Sequence, residues 1–464
     1  MFVERREEQC LNRVNQPRAD RSVRYHETKA LPLPGFTRIR LHANKGQDAV
    51  FNNLLTHFNL DNFREAFRAL DGSKAKGMDG IAKSDYGTDL EANLERLVNS
   101  LHKGTYRPQT KREVLIPKAN DKTRPIAISC FEDKLVEWVL GKVLESVYEP
   151  IFIRNSFGFR PKKSAHDAIQ ASYLTLKDDK RPFVVEIDLQ SFFNTVSHRK
   201  LMKILQIKIQ DQRLLHLIHR FLKAEIHHQE SGLTLAQGEG TPQGSIMSPI
   251  LANIYLHYVL DTWFLKNYAS SDAVIVRYAD DAIFMFKHAA KARSFLNELR
   301  ERLESFELKL NEDKTAIIDL TKGRNGIFHF LGFSFYWARR FGSGGKQTLS
   351  IKTHKERLVK KIQEFDQWIK KCRSFVKGDT LLKTARAKLI GHYNYFGYFC
   401  NRAKLWHYYS AAVWSLFRWL NRRSQKKSFS WEKFKIIMAA NGIPKPPPMS
   451  ELKTIGWNPY AISR

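Results

Sequence analysis

The sequence predicts an α+β fold that is followed by an all-helical C-terminal region. Short apolar runs typical of strands, such as 183–187 and Ala273–Tyr278, alternate at irregular intervals with amphipathic helical stretches. This irregular mixture favours an α+β class over a regular doubly wound sheet. After a glycine-rich break at 342–345 the strand signals stop, and only helical periodicity remains. The 464 residues, 43% of them hydrophobic, suffice for about three folding units.

The first part of the chain is predicted to hold an arm, two helices and a hairpin. Residues 1–48 are polar, basic and interrupted by prolines, so we interpret them as a loosely ordered arm. Apolar residues at spacings of three and four predict amphipathic helices from Asn59 and over 90–101. Two apolar segments, 114–117 and 125–128, enclose a polar tip and predict a β-hairpin.

The middle of the chain carries a helix and several strands. A helix over Phe131–Tyr148 should follow the hairpin, and the strand 183–187 leads directly into Asp188. Two more strands, Ala273–Tyr278 and 282–286, are joined by a tight polar turn. A further strand is predicted at 328–335.

The C-terminal region is predicted to be helical and basic. One helix carries apolar residues on a single face, namely Leu358, Ile362, Phe365 and Ile369. A second is lined by Leu405, Tyr409, Ala412, Val413, Leu416 and Leu420. Ser430 caps a last helix that should end near Asn441.

The charge balance indicates a polyanionic partner. The chain has 77 Lys and Arg against 47 Asp and Glu, a formal net charge of +30. A field of that sign favours nucleic acid, and an anionic membrane surface is the rival interpretation. No apolar run reaches the roughly 18 residues of a transmembrane helix. The 4 cysteines lie far apart, which argues against a disulfide framework or zinc module and favours a soluble protein of a reducing compartment.

Three carboxylates give the strongest chemical signal. Asp280 and Asp281 lie in the turn between two strands, and Asp188 ends another strand. An Asp-Asp pair alone is most often a solvated turn. The third carboxylate weakens that interpretation, because neighbouring strands could bring all three side chains together. Mg²⁺ prefers carboxylate oxygens together with substrate phosphates, so the cluster predicts a divalent-metal site.

Ordered segments surround these carboxylates. They are 122–126, 156–161, 240–245, 248–253, 310–315 and 330–333, within a stretch from about Asn59 to Pro444. Together with Tyr278-Ala279-Asp280-Asp281 and with Asp188 upstream, they resemble the bacterial group II intron reverse transcriptase/maturase family. The segment 128–134 is a variant of the family's usual stretch and is close to that of compact class C members.

The resemblance implies a right-hand polymerase with a helical thumb. After the basic arm 1–48, which is defined by composition alone, it assigns 49–344 to the fingers and palm, 345–428 to a helical thumb or maturase domain, and 429–464 to a C-terminal helix and basic tail that could bind DNA. Because the C-terminal tail has no paired cysteines and no His-rich motif, the zinc-supported endonuclease domain of larger members is expected to be absent.

The resemblance also implies catalytic roles. Asp188, Asp280 and Asp281 would organise two Mg²⁺ ions while a primer 3′-hydroxyl attacks the α-phosphate of a dNTP. Asp281 could orient the site without ligating a metal ion. Lys314 would protonate the leaving pyrophosphate, although outside the family it would be taken for a surface lysine.

Contacts to the incoming nucleotide are implied for Lys118, Arg124, Leu189, Phe193 and Gln243. Lys118 and Arg124 lie at the hairpin tip, where two cations can converge on a triphosphate. Phe193 falls on the family's steric-gate position, where a bulky ring excludes a ribose 2′-hydroxyl. Without the resemblance, Lys118 and Arg124 would be interpreted as an exposed basic tip. Phe193 would be interpreted as a core residue and Gln243 as an ordinary polar loop residue.

Primer and RNA contacts are implied further along the chain. Leu331 and Gly332 would form the primer grip, where the glycine allows a close backbone approach. RNA-binding residues in the basic region would be Lys360, Lys361, Arg422, Arg423, Lys426 and Lys427. As a charge pattern alone they would form a solvated surface.

The expected partners are therefore an RNA template, a DNA primer, dNTPs and a group II intron RNA, in a bacterial cytoplasm and without a membrane. Two alternatives stay open at this point. One is a domesticated phage-defence or CRISPR-associated reverse transcriptase with the same chemistry and no intron. The other is a non-catalytic RNA-binding splicing factor, which the complete carboxylate set disfavours. A viral-type RNA polymerase is disfavoured by Phe193 and Ala279.

Overall fold

The computed structural model describes residues 34–46, 48–117, 123–178, 180–268, 272–339, 347–422 and 430–455. Within these residues the predicted α+β class is confirmed, because three small sheets are set among helices. No described helix is both long and apolar enough to cross a membrane.

The secondary-structure elements are numbered along the chain. The described α-helices are α1 (Pro34–Ala43), α2 (Leu60–Ala69), α3 (Lys83–Gly87), α4 (Leu90–His102), α5 (Phe131–Tyr148), α6 (Ala165–Leu176), α7 (Phe192–Thr195), α8 (His198–Gln206), α9 (Gln212–Leu222), α10 (Ser248–Leu256), α11 (Thr262–Tyr268), α12 (Ala289–Glu304), α13 (Lys355–Cys372), α14 (Gly378–Phe396), α15 (Arg402–Leu420) and α16 (Trp431–Ala440). The described strands are β1 (Lys111–Pro117), β2 (Thr123–Ile128), β3 (Phe183–Asp188), β4 (Ile226–His227), β5 (Thr234–Leu235), β6 (Ala273–Tyr278), β7 (Asp281–Phe286), β8 (Ala316–Asp319), β9 (Phe328–Phe330), β10 (Phe333–Arg339) and β11 (Gln347–Thr353).

Helix α1 corrects the interpretation of 1–48 as a loosely ordered arm. Phe36, Ile39 and Ala43 recur at helical spacing, are buried, and bring α1 against α5. A proline is tolerated in the first turn of a helix, so Pro34 does not prevent α1 from starting there. Residues 1–33 of the predicted arm lie outside the described residues.

The predicted hairpin is present as the antiparallel pair β1 and β2, and β4 and β5 extend it to a sheet of order β2–β1–β4–β5. The helix predicted after it is present as α5, which buries most of its surface in the main core. Lys118, at the tip of the predicted hairpin, lies outside the described residues.

A second sheet, which we call the central sheet, positions the carboxylates. Its strand order is β6–β7–β3–β8, and each neighbouring pair is antiparallel. Successive side chains of a strand point to opposite faces. One face, with Val185 and Ile187, packs into the core shared with α5 and α10, while the face with Val184 packs into the core of the C-terminal region.

The third sheet corrects two sequence predictions. The strand predicted at 328–335 is two strands, β9 and β10, which pair through a tight turn at Leu331 and Gly332. The expectation that strands stop after 342–345 is wrong, because β11 pairs with β10. In β11 the buried residues Leu349, Ile351 and Thr353 alternate with more exposed polar ones, which is a half-buried strand pattern.

The helices α13–α16, here called the C-terminal bundle, follow that sheet. The predicted apolar face of α13 is present, with Leu358, Phe365 and Ile369 buried. Helix α15 packs against α13. The N-cap residue of α16 is Ser430, whose side chain accepts a hydrogen bond from the backbone N of Lys433. The bundle and the third sheet share one core, so both are fixed against the central sheet.

Candidate active site

The carboxylates meet at one end of the central sheet. In the β3–β7 pair Asp188 lies directly opposite Asp281, and Asp280 occupies the two-residue turn between β6 and β7. Ala279, the other turn residue, has a left-handed φ of 58°. Directly opposed antiparallel residues have Cβ atoms about 4.5–5.5 Å apart, so the register itself brings the Asp188 and Asp281 side chains together.

Crowding of negative charge marks this site. Burial raises the pKa of Asp281 to about 8, and the neighbouring carboxylates act in the same direction. Burial also raises the pKa of Asp280, with a further contribution from Asp188 and opposition from Arg124. Carboxylates that resist ionisation together favour the binding of a cation between them.

Two side chains hold the carboxylate of Asp188. Lys314 donates from Nζ to Oδ2 of Asp188 at 2.9 Å, and Asn311 donates to the same oxygen at 3.0 Å. Lys314 therefore lies at the site, as the sequence predicted. Asn311 was not singled out, although it precedes Lys314 by three residues in the same segment.

The carboxylates of Asp188 and Asp280 fit an Mg²⁺ ion that takes its remaining ligands from substrate and water. No three His, Cys, Asp or Glu side chains of the described chain form a ready-made metal cage. Mg²⁺ is usually held by one or two carboxylates plus substrate phosphates and water, so a closed cage is not required. Asp188 and Asp280 could ligate such an ion once Asp188 exchanges its bond to Lys314 for metal.

A buried network supports the turn that carries Asp280. The fully buried Arg277 donates to both oxygens of Asp261, at 2.7 and 2.5 Å. It also donates to Asn253 Oδ1 at 2.9 Å and to the backbone O of Ala279 at 3.0 Å. Because Ala279 precedes Asp280, the network fixes the turn between β6 and β7.

A π-helical segment places the two side-chain acceptors of Arg277, Asp261 and Asn253, on the same side of the helix. His257–Asp261 is π-helical and follows α10 directly. A π turn closes i→i+5 hydrogen bonds and rotates each residue less than an α turn does. Asp261 is thereby turned back toward the side that carries Asn253, and both reach Arg277.

Gly158 lets another loop close on the same turn. A Cβ at Gly158 would lie 2.3 Å from the backbone N of Ala279, which no side chain could tolerate. The carbonyl of Gly158 accepts a hydrogen bond from Asn253 at 2.7 Å, so the loop belongs to the Arg277 network. The segment 156–161 singled out in the sequence therefore lies against the carboxylates.

The candidate residues Phe193 and Gln243 are joined through one loop. The backbone O of Phe193 accepts a hydrogen bond from Thr241 N at 2.6 Å, and Gln243 O accepts one from Ala127 N at 2.7 Å. A Cβ at Gly240 would lie 2.7 Å from the Phe193 oxygen. The loop thus connects β2 to α7 and holds the two candidates near each other. The ring of Phe193 is half-buried against Phe192.

Of the two other candidates for nucleotide contacts, one lies near the carboxylates and the other has a buried side chain. Arg124, in β2, lies near enough to Asp280 to lower its pKa, which places a cation beside the carboxylates. The side chain of Leu189 is buried in the main core opposite Leu310, so it is not available to a nucleotide. A contact from Leu189 would have to come from its backbone.

The primer-grip candidates form the β9–β10 turn. Leu331 and Gly332 have φ values of 49° and 82°, both in the left-handed region. Positive φ at both central residues is typical of a two-residue type I′ hairpin. The backbone of Leu331 lies close enough to Asp281 to lower the pKa of that carboxylate, against the larger effect of burial, so the turn lies beside the site.

The RNA-binding candidates that lie within the described residues, Lys360, Lys361 and Arg422, do not form one compact patch. Lys360 and Lys361 lie in the first part of α13, whereas the backbone O of Arg422 accepts a hydrogen bond from Arg373 after the end of α13. Twelve residues of helix separate these places by about 18 Å. Arg423, Lys426 and Lys427 lie outside the described residues.

Some cations of the bundle form a cluster that sequence reasoning missed. Arg373, Arg422 and Lys370 lie 4.7, 5.4 and 5.6 Å from the ring centre of Trp419. Arginine and lysine over an aromatic face form cation–π contacts. Nothing in the periodicity shows this cluster, because its members come from two helices that are far apart in sequence.

Comparison with known proteins agrees with this arrangement. The sequence pattern of the family described as reverse transcriptase (RNA-dependent DNA polymerase) matches residues 116–335. Protein YkfC of Escherichia coli K12 is 36% identical over 294 residues, which are 56% of this chain and 76% of YkfC. Group II intron-encoded protein LtrA of Lactococcus lactis is 37% identical over 236 residues, 49% of this chain and 38% of LtrA. An uncharacterised 91 kDa protein in the cob intron of Schizosaccharomyces pombe is 38% identical over 177 residues, 38% of this chain and 21% of that protein.

Proposed function

The chain belongs to the reverse transcriptases, the RNA-dependent DNA polymerases, as its motifs indicated, and we propose that it extends a DNA primer on an RNA template by two-metal phosphoryl transfer. The observation that carries the proposal is the register of β3 and β7, which sets Asp188 opposite Asp281 beside Asp280. Bound Mg²⁺ would stabilise the attacking and leaving oxygens of the in-line displacement.

The chain's own residues have separate tasks in this reaction. Asp188 and Asp280 would hold the metal ions, and Asp281, which lies beside the backbone of Leu331, would orient the site. Arg124 lies where it can bind a triphosphate. Lys314 is bonded to Asp188 and would be freed to protonate the pyrophosphate once metal takes its place.

Primer extension tests the proposal directly. The purified chain is given Mg²⁺ and a DNA primer annealed to an RNA template, with either dNTPs or NTPs. We expect extension with dNTPs that stops when the metal is chelated. Absence of extension on both RNA and DNA templates would contradict the assignment as a polymerase, whereas extension with NTPs alone would contradict the sugar preference.

Phe193 is proposed to select the sugar. Replacing it with Val or Ala should admit ribonucleotides by opening space at the 2′ position, while dNTP incorporation changes less. The measurement is the ratio of kcat/KM for dNTP and NTP on one template–primer. Phe192→Val is a matched control, because Phe192 is 2% exposed and should affect stability without affecting sugar choice. An unchanged ratio in the Phe193 variants would mean that this ring only packs.

We further propose that the C-terminal bundle acts as a thumb that also binds a group II intron RNA and assists its splicing. The support is the resemblance to LtrA, a group II intron-encoded protein, together with the formal charge of +30. The basic cluster around Trp419 offers cations on a rigid helical surface.

The charge set should determine how RNA binding depends on salt. Each contact to single-stranded RNA contributes a slope of roughly 0.7 in log affinity against log salt. Replacing Lys360, Lys361, Arg422 and Arg423 with Gln should therefore weaken intron RNA binding and flatten that slope. Synthesis on a short, saturating template–primer should fall much less.

A matched set of four exposed lysines elsewhere serves as the control: Lys74, Lys103, Lys177 and Lys266. Their replacement by Gln removes the same formal charge from other surfaces. If both sets change the salt slope equally, the bundle has no special role and the net charge alone explains RNA affinity.

A further inference from the structure

The Leu331–Gly332 turn is fixed from two sides, and the contacts on both sides involve its backbone. On the side of the central sheet, the backbone N of His329 donates to the carboxylate of Glu186. The backbone of Leu331 also lies near the carboxylate of Asp281, whose pKa it lowers. Strand β9, which leads into the turn, is thus bonded to a carboxylate of β3.

The C-terminal bundle holds the other side of the turn. Tyr395 of α14 donates its hydroxyl to the backbone O of Leu331 at 2.8 Å. The backbone N of His354 donates to Gly332 O at 3.0 Å. A Cβ at Gly332 would lie 2.7 Å from Cδ of Arg357, so α13 also approaches the turn closely.

These contacts stabilise an unfavourable backbone conformation at Leu331. Leucine rarely adopts the left-handed region, and a residue held there needs surrounding structure that determines its conformation. The hydrogen bonds from Tyr395 to Leu331 O and from the backbone N of His354 to Gly332 O supply that support. Glu186 also points to the same face as Asp188, two residues further along β3, so it ties the turn to the strand that carries a catalytic carboxylate.

We propose that Glu186 and Tyr395 are positioning residues that fix the Leu331–Gly332 turn, and with it the primer 3′ end, relative to Asp188 and Asp280. The inference rests on the proposed polymerase function. Neither residue is assigned to metal or nucleotide. Each acts through the turn, Glu186 as an acceptor on the sheet side and Tyr395 as a donor on the bundle side.

Paired variants of Glu186 separate positioning from charge. Glutamine keeps an acceptor oxygen at the same place and removes the negative charge, whereas alanine removes both. In single-nucleotide incorporation with saturating dNTP, Glu186→Ala should lower kcat at least tenfold with KM for dNTP changed less than threefold. Glu186→Gln should stay within threefold of wild type. A Gln variant as slow as the Ala variant would show that charge is needed and would overturn the proposal.

Tyr395→Phe gives an independent test that does not disturb a carboxylate. It should lower kcat several-fold, again with little change in KM for dNTP and in melting temperature. Tyr173→Phe is the matched control, since Tyr173 also donates its hydroxyl to a backbone oxygen of the third sheet, that of Leu349 at 3.1 Å, away from the turn. Equal effects of the two Tyr variants, or none, would overturn the role of Tyr395.

The outcomes also separate this inference from the proposed function. A wild-type chain that fails to extend any primer overturns both. An active wild type whose Glu186 and Tyr395 variants keep normal kcat overturns the inference alone. Should Glu186→Ala prove too unstable to purify, Glu186→Gln and Tyr395→Phe still decide between the outcomes.

Discussion

Replacing Asp188 or Asp280 with alanine should lower the rate of DNA synthesis at least a hundredfold while RNA binding survives. A hundredfold loss corresponds to about 2.7 kcal/mol of transition-state stabilisation, which is within what one metal ligand contributes. The carboxylates end the central sheet, and the candidate RNA contacts lie on the C-terminal bundle, so the two properties should separate. Single-turnover primer extension and RNA filter binding measure them side by side.

The control is a carboxylate of the same sheet with no role in the reaction. Asp272→Ala is suitable, because Asp272 lies at the opposite end of β6 and pairs with Lys291 on the surface. That variant should extend primers at the wild-type rate. Activity above one hundredth of wild type in either Asp188→Ala or Asp280→Ala would exclude these residues as metal ligands.

Much of the central sheet and of its carboxylates could be predicted because the signal is local. Apolar runs of five or six residues define β3, β6 and β7. Strand β3 ends at Asp188, β7 begins at Asp281, and Asp280 lies in the short turn between β6 and β7. Antiparallel pairing of such strands then brings the aspartates to one end. The helix α5 was equally clear, since an uninterrupted apolar pattern ends just before a proline.

Elements with weak local signals were missed. Helix α1 was obscured by proline, glycine and basic residues, although its three buried residues follow helical spacing. Strand β11 was obscured by polar residues on its exposed face, which conceal the alternation of Leu349 and Ile351. In both cases tertiary packing of a few apolar side chains outweighs the local composition.

The partners of buried charges could not be predicted at all. Arg277 sits in a strand, and its acceptor Asp261 is 16 residues away behind a π-helical segment that no propensity indicates. Glu186 looked like an ordinary polar strand residue, and its partner is a backbone group 143 residues further on. A charge in an otherwise apolar strand does indicate that some partner exists, since a buried charge is costly alone.

The buried network around Arg277, which supports the turn that carries Asp280, provides the second large effect. Arg277→Met removes the only cation bonded to Asp261 among the described residues, and leaves that fully buried carboxylate facing apolar surroundings and a neutral His257. Breaking a buried ion pair in this way costs about 3–5 kcal/mol. The free energy of unfolding, measured by urea denaturation, should fall by that amount. Arg300→Met is the surface control, where loss of the pair with Glu312 should cost less than about 1 kcal/mol.

A double variant distinguishes stability from positioning. In Arg277→Met combined with Asp261→Leu neither charge of this pair is left buried without its partner, so most of the lost unfolding free energy should return. Primer extension should nevertheless stay at least tenfold below wild type, because the bonds from Arg277 to Asn253 and to the backbone O of Ala279 remain absent. The turn that carries Asp280 then lacks its support even in a stable protein. A double variant with wild-type activity would mean that Arg277 and Asp261 only stabilise the fold, and one as unstable as the single variant would mean that the unpaired carboxylate is not what destabilises it.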